Sequence, residues 1–415
     1  RGVEVLVAQA PEPHKDANDV LKADGTSAVT TMIEARETWT PPPRALPEPG
    51  GQADPAGAER RVLDPKAPLA TARQMIAEQF THEHCRTVQH HGAQFHEWDG
   101  AAYRSADEGS IRARAYEYLE RAVAWDETRE RETPFKPTST KVNDVIDALR
   151  AAANLSSSVQ APAWLKGAPE SAPPASELLS LRNGLLHLPS FELLPPSPLL
   201  WTHTALPFDF DPDAPRPTEW LRFLASVWPD DEQAIDTLQE VMGYLLTQDT
   251  CQQKLFLLVG PKRSGKGTIA RIIQSLLGRE NVAAPTLAGL GTNFGLQPLI
   301  GKTAAIIADA RLGGRADQHA IAERLLSISG EDALTIDRKY LPAWTGTLGT
   351  RVLILSNELP RLADASGALA SRFVTLTMSR SFYGQEDHGL TSRLLKELPG
   401  VLNWAIDGWQ RLQER

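Results

Sequence analysis

Two hydrophobic spacings alternate along the second half of this chain, and together they predict an open α/β sheet. Leu255 to Val259 is an unbroken apolar run, as expected of a strand buried on both faces of a parallel sheet. Directly after it, Ile269, Ile272, Ile273, Leu276 and Leu277 recur at helical spacing until Gly278 ends the stripe. Ala304 to Ala308, Val352 to Leu355 and Val374 to Met378 are further strand-like runs. Each is followed by a polar residue, at the edge where open α/β sheets bind ligands. Upstream, Ile235, Leu238, Val241 and Leu245 mark the buried face of a helix over 232–246, preceded by the Trp220 to Trp228 stretch.

The first half is patterned more weakly. Helical periodicity runs over Ala70 to Phe80, Ile111 to Trp125 and Val142 to Ala153, and Asp99-Gly100 and Asn183-Gly184 are hairpin signals. Residues 40–68 hold eight prolines around Gly50-Gly51 and read as a linker. Residues 160–218 are again proline-rich, and Val401, Ala405, Trp409 and Leu412 share one face of a closing helix. The expected organisation is an N-terminal segment over 1–38 and a Pro/Gly-rich linker over 39–68. A smaller α+β domain over 69–230, an α/β core over 231–380 and a helical segment over 381–415 follow.

Composition narrows the classes. At 415 residues with 41% apolar content the chain has room for two or three domains with a sizeable core. No apolar run approaches 18 residues, so no membrane span is expected. Cys85 and Cys251, far apart, exclude a disulfide framework and fit a reducing cytosol. The first residue, Arg1, suggests a piece of a longer chain. The net charge of −9 is uneven: residues 255–415 hold 19 Lys/Arg against 14 Asp/Glu, or +5, leaving −14 for residues 1–254. That asymmetry permits an anion-binding C-terminal domain. His82, His84, Cys85, His90, His91 and His96 cluster, but their spacing matches no common zinc site; His96, alternating with Phe95 and Trp98, reads as an edge-strand residue.

The segment that specifies a chemistry is Gly260 to Thr268, GPKRSGKGT, between a predicted strand and a predicted helix. This is the G-x-x-x-x-G-K pattern of a phosphate-binding P-loop. Gly260, Pro261, Arg263, Ser264, Gly265, Lys266, Gly267 and Thr268 would cradle ATP. Backbone N–H groups converge on phosphate oxygens at a helix N-terminus, and Lys266 meets the β- and γ-phosphates. The hydroxyl that usually follows the lysine is displaced by Gly267 to Thr268, which would help hold Mg²⁺. Asp309, ending the second strand, reads as the carboxylate that holds the metal. The residue after it is Ala310, so Asp309 itself, Glu331 or Asp332 would serve as base, or water is only positioned. Asn357, ending the third strand, would orient the attacking water. Arg372, just before the last strand, would reach the ATP of a neighbouring subunit.

The ordered series VGPKRSGKGT, AAIIADAR, SGEDALTIDRKY, RVLILSNELP and ASRFV resembles the superfamily 3 helicase core of phage and plasmid primase–helicases. WDGAAYR, LRNGLLHL, LPFDFDPDAPRPTEW and LQEVMGYLLT resemble the domain that precedes that core. The resemblance covers roughly residues 70–412. It implies an AAA+-like fold, a hexameric ring, ATP-driven translocation on single-stranded DNA and unwinding at a duplex fork, in the cytoplasm of a bacterial host. It also implies a channel hairpin at Thr335 to Tyr340, where Arg338, Lys339 and Tyr340 would contact DNA. Lys15 to Leu21, KDANDVL, resembles the closing part of the Toprim-like fold of primases, which would make 1–38 the remnant of such a domain. Two rival functions stand beside this one. GKGT also occurs in small nucleotide kinases, and an ATP-bound scaffold or loader of replication proteins would need little hydrolysis.

Overall fold

The computed structural model describes residues 6–7, 26–28, 30–31, 37–38, 61–308, 317–359 and 367–414, in two compact units, 1–60 and 61–415. In the first, Leu6–Val7 pairs antiparallel with Glu37–Thr38. The Lys15 to Leu21 run lies outside the described residues.

The second unit begins with helix α1 (Pro68–Gln79) and a three-stranded antiparallel sheet, β1 (Val88–His91), β2 (Gln94–Trp98) and β3 (Tyr103–Ala106). Helices α2 (Glu108–Glu120) and α3 (Ser139–Ala152) pack on them around Met75, Phe80, Phe95, Ile111 and Ile146. Each helix starts on a side-chain cap: Asp107 accepts from the Ser110 N–H, and Thr138 from the Lys141 N–H. Asp99 shapes the β2–β3 turn by accepting from the N–H groups of Ala101 and Ala102.

The structure departs from the sequence pattern at three places here. The helix expected from Ile111 to Trp125 stops at Glu120, and Val123–Asp126 is instead a strand paired with Arg131–Pro134. Ala124 turns inward while Trp125 is 55% exposed, a period of two too short to register against the preceding helix. His96 lies on β2, the central strand of its sheet and not an edge. In the next sheet, β4 (Leu178–Leu181), β5 (Gly184–His187) and β6 (Glu192–Leu194), Leu181 pairs with Gly184. The tight turn is therefore Arg182–Asn183. Gly184 opens β5 at φ +157°, where a Cβ would lie 2.3 Å from the Leu194 carbonyl oxygen.

Helices α4 (Thr218–Val227) and α5 (Glu232–Leu246) lead into the core. It comprises β7 (Leu255–Val259), α6 (Lys266–Leu277), β8 (Val282–Ala283), β9 (Ala304–Ile307) and α7 (Gln318–Ser329). After these come the hairpin β10 (Leu334–Arg338) and β11 (Leu341–Gly346), then β12 (Arg351–Ser356) and β13 (Phe373–Thr377). Helices α8 (Leu390–Lys396) and α9 (Leu398–Gln413) close the chain.

The sheet runs β8-β9-β12-β7-β13, parallel at every pairing, so this unit contains a mixed α/β fold with a five-stranded parallel sheet. Alternate side chains serve opposite faces. Phe256, Leu258, Ile306, Leu353 and Leu355 join the layer of α4, α5, α6 and α9, whereas Leu257, Ile307, Val352 and Ile354 join that of α7. Among the described residues no helix is long and apolar enough to cross a membrane.

Helices α5 and α9 cross at glycine. A Cβ at Gly243 would stand 2.3 Å from the Ala405 carbonyl oxygen, and one at Gly408 2.4 Å from that of Gln239. Even one methyl must push the helices apart, so Gly243→Ala is expected to lose roughly 3 kcal/mol of stability, the upper end of overpacking costs. Urea unfolding measures it, and an unchanged midpoint would mean that the crossing yields freely. Arg351 opens β12 fully buried and donates to the carbonyls of Gly349, Leu245 and Thr247, tying the end of α5 to the sheet. Burial pushes its guanidinium down to about 10.

Candidate active site

The parallel register brings the chain ends of interest together. Val259 pairs with Ser356 on one side and Thr377 on the other, so the loop after β7 starts between the ends of β12 and β13. The Gly260 N–H donates to the Ser356 carbonyl, and Met378 donates its N–H to Val259. A Cβ at Gly260 would meet the Met378 carbonyl oxygen at 2.6 Å. Gly265, the N-cap of α6, takes φ +100° with the Phe223 ring of α4 close behind it. Gly267 is different: a Cβ there would meet only Arg271 Nη1, at 3.8 Å, so space does not require glycine.

The loop borders an open cavity of about 750 Å³. Lys262 to Thr268 form its floor and Asn357 comes in from the end of β12. Phe223 and Ser226 of α4 and the segment from Phe382 to Arg393 complete the walls. Pro261 and Gly260 lie behind this lining, at the root of the loop. Lys266 Nζ arches over that root, donating to the carbonyls of Gly260 (2.5 Å) and Pro261 (2.8 Å) and to Ser264 Oγ (3.0 Å). Burial lowers its ammonium pKa below the ordinary value, and among the described residues no carboxylate offsets that. Ser264, 1% exposed, donates to Met378 Sδ. Thr268 is half-buried on the cavity floor.

Other expected residues lie elsewhere. Asp309 and Ala310 fall outside the described residues. Glu331 accepts from Thr250 Oγ1 and Gln253 Nε2, and neither it nor Asp332 lines the cavity. Arg372 is not in the lining; its Nη1 donates to the Ser329 carbonyl at the end of α7 (2.7 Å). Arg338, Lys339 and Tyr340 sit at the β10–β11 turn. Tyr340 is 92% exposed at φ +64°, with Lys339 Nζ 5.2 Å from its ring centroid. Arg338 is more engaged, donating to the carbonyls of Pro342 (2.8 Å) and Gly92 (3.1 Å).

The sequence pattern gave no warning of the 382–393 wall. The Phe382 N–H donates to the Arg263 carbonyl and Ser381 Oγ to that of Lys262; Glu386 pairs with Arg263, and Arg393 with Asp387 and Glu219. The segment is short, polar and aperiodic, and only its contacts reveal its place.

Three of the histidines gather around Trp201. His91, His96 and His203 each contact its ring, and Tyr103 abuts it. Among the described residues no group of three or more His, Cys, Asp or Glu is arranged to hold a metal ion. Burial, then the neighbouring His203 and His91, pushes His96 down to about 3, and burial pushes His203 down to about 4. Both imidazoles stay neutral in the fold while the unfolded chain takes up protons below about pH 6.5. Their contribution to stability is therefore complete above that pH and declines as pH falls toward 4. The urea midpoint is expected to drop between pH 7 and 5, and His96→Phe should flatten that slope; an equal slope in the variant would exclude His96 as its source.

Residues 74–229 match a family model described as "D5 N terminal like", and residues 258–372 match a "Family of unknown function (DUF5906)". Among solved structures, the apo C-terminal region of NrS-1 is similar over 82% of this chain and 69% of that one, at 14% identity and a TM-score of 0.50. Two A-form structures of the same region give TM-scores of 0.49 and 0.48, also at 14% identity, over 77% and 81% of this chain. The chain spans 65% of the first of these and 69% of the second. At such identity the likeness concerns the fold alone. The D5 N-terminal-like match falls where WDGAAYR and LRNGLLHL resemble the domain before the motor core of phage and plasmid primase–helicases, and supports that relationship. The glycine-rich loop, Arg338 to Tyr340, Asn357 and Arg372 all fall inside the match to the family of unknown function.

Proposed function

We propose that this chain is the motor part of a phage or mobile-element primase–helicase: an AAA+-like, superfamily 3 ATPase that assembles as a hexameric ring and translocates on single-stranded DNA to open a duplex fork. The observation that carries the proposal is the cavity in which the Lys262 to Thr268 loop and Asn357 meet at the C-terminal edge of β7 and β12. The strand order supports it: the loop-bearing β7 is an interior strand, and β12, which leads into Asn357, is its direct neighbour.

In this proposal the N–H groups at the start of α6 and the Lys266 ammonium bind the phosphates. Thr268 and Asp309 would hold Mg²⁺, which neutralises charge on the phosphates when bound. The Asn357 amide orients water without ionising. Arg372, which does not line its own chain's cavity, would act on a neighbour's. Lys339 and Tyr340, exposed at the hairpin turn, supply a charge and a stacking face for DNA.

Steady-state ATP hydrolysis, with and without single-stranded DNA and across protein concentration, tests the whole. Turnover that rises with DNA and more than linearly with protein supports a ring motor. Turnover indifferent to both rejects it; phosphotransfer to a nucleotide would then indicate a kinase, and tight binding without turnover a scaffold.

A further inference from the structure

A second cavity, of about 290 Å³, lies where the β1–β3 sheet faces the β10–β11 hairpin and the loop before β9. Its size is at the small end of ligand sites. Three cations line it, Arg104, Lys302 and Arg338, against one carboxylate, Glu280, in a chain whose net charge is −9. His91 and His96 are on its wall, and His91 Nε2 and His96 Nδ1 are buried without a hydrogen-bond partner. Trp344 of the hairpin adds an aromatic side.

We propose that this cleft is a second seat for single-stranded DNA, holding one nucleotide of the strand whose neighbouring part lies on the Lys339–Tyr340 turn. The inference rests on the helicase proposal and extends it from the hairpin tip to the junction with the D5-like domain. Arg338 makes the connection, since it lines the cleft and directly precedes the tip residues.

The cations favour a phosphodiester over a carboxylate. Arg104 is committed to Asp99, Asn281 and the His203 carbonyl, and Lys302 and Arg338 already donate to backbone carbonyls. No free guanidinium fork remains for bidentate capture of an acidic side chain; what remains is the excess of the three cations over Asp99 and Glu280, a diffuse positive charge of the kind by which proteins hold nucleic-acid backbones. Burial, then the Arg104 charge, pushes the Lys302 ammonium down, and Glu280 offsets only part of that. Neutral imidazoles with unused nitrogens can donate to or accept from a base edge, and an indole can stack on it. A duplex would offer its bases already paired and stacked.

The test is fluorescence anisotropy with a labelled oligo-dT on the full chain. It compares the unsubstituted protein, the tip variant Lys339→Ser/Tyr340→Ser, and the cleft variant Ser105→Glu/Gln160→Glu. Ser105 and Gln160 are exposed on the cleft rim, so two carboxylates fit there without disturbing the core; Gln94→Glu replaces the pair if the melting temperature falls. The cleft variant is expected to bind about tenfold more weakly with an unchanged melting temperature. Binding as tight as the unsubstituted protein's, with the tip variant weakened, overturns the cleft and leaves the helicase proposal standing. No binding by the unsubstituted protein overturns both. Inorganic pyrophosphate is added at constant ionic strength: strand displacement by it that the cleft variant abolishes would make this a free-phosphate site and overturn the strand assignment.

Discussion

Replacing Arg372 by alanine is expected to leave nucleotide binding intact and to cut turnover by about 10³–10⁵-fold, the range for a trans-acting arginine at a phosphoryl-transfer site. The guanidinium is half-buried beside the end of α7 and absent from its own chain's cavity, so binding within one chain does not depend on it. A purely structural role through the Ser329 carbonyl would show as a lowered melting temperature. Mixing Arg372→Ala with Lys266→Ala protein separates the alternatives. Each variant retains what the other lacks, so mixed rings should regain part of the activity. If mixing restores nothing, Arg372 does not act across an interface.

For Lys266→Ala the expected loss is at least about 10²–10³-fold in turnover, the cost of removing one preorganised charge from a phosphoryl-transfer site, together with weakened nucleotide binding. Lys266 Nζ is poised at the loop root by three oxygen acceptors, so an incoming phosphate needs only a short movement of a flexible stem. Lys266→Arg keeps the charge but brings a planar fork that does not fit a nest sized for a point charge, and it should fail nearly as badly. Turnover near the unsubstituted level in either variant would remove hydrolysis from this loop.

How much of this was legible in the sequence follows from where each signal comes from. The strands of the parallel sheet were visible because residues buried on both faces leave runs such as LFLLV and VLIL. Arg351, just before the second run, carries no apolar signal; it is buried at the start of the strand because the carbonyls at the end of α5 satisfy it, a contact more than a hundred residues away. Lys266 and Asn357 were legible because strand ends fix their positions, and the cavity indeed has both on its lining. The same logic missed the Phe382 to Arg393 wall, which has no periodicity, and Arg338's bond to Gly92, which depends on how the D5-like domain sits against the core. The strand at Val123–Asp126 was absorbed into the preceding helix because four residues are too few to change an apparent period.

The strand order also has a consequence for the newly made chain. Strand β7 has only β12 and β13 as neighbours, and they begin at Arg351 and Phe373. At common synthesis rates the ribosome needs about 5–20 s to move from the end of β7 to the start of β12. During that interval the five apolar residues of β7 have neither edge paired. The D5-like part is complete by then and free to fold, while the core must wait with an adhesive edge exposed. Helices α4 and α5, made just before β7, are the cover at hand, and nascent-chain chaperones would find their target in this window.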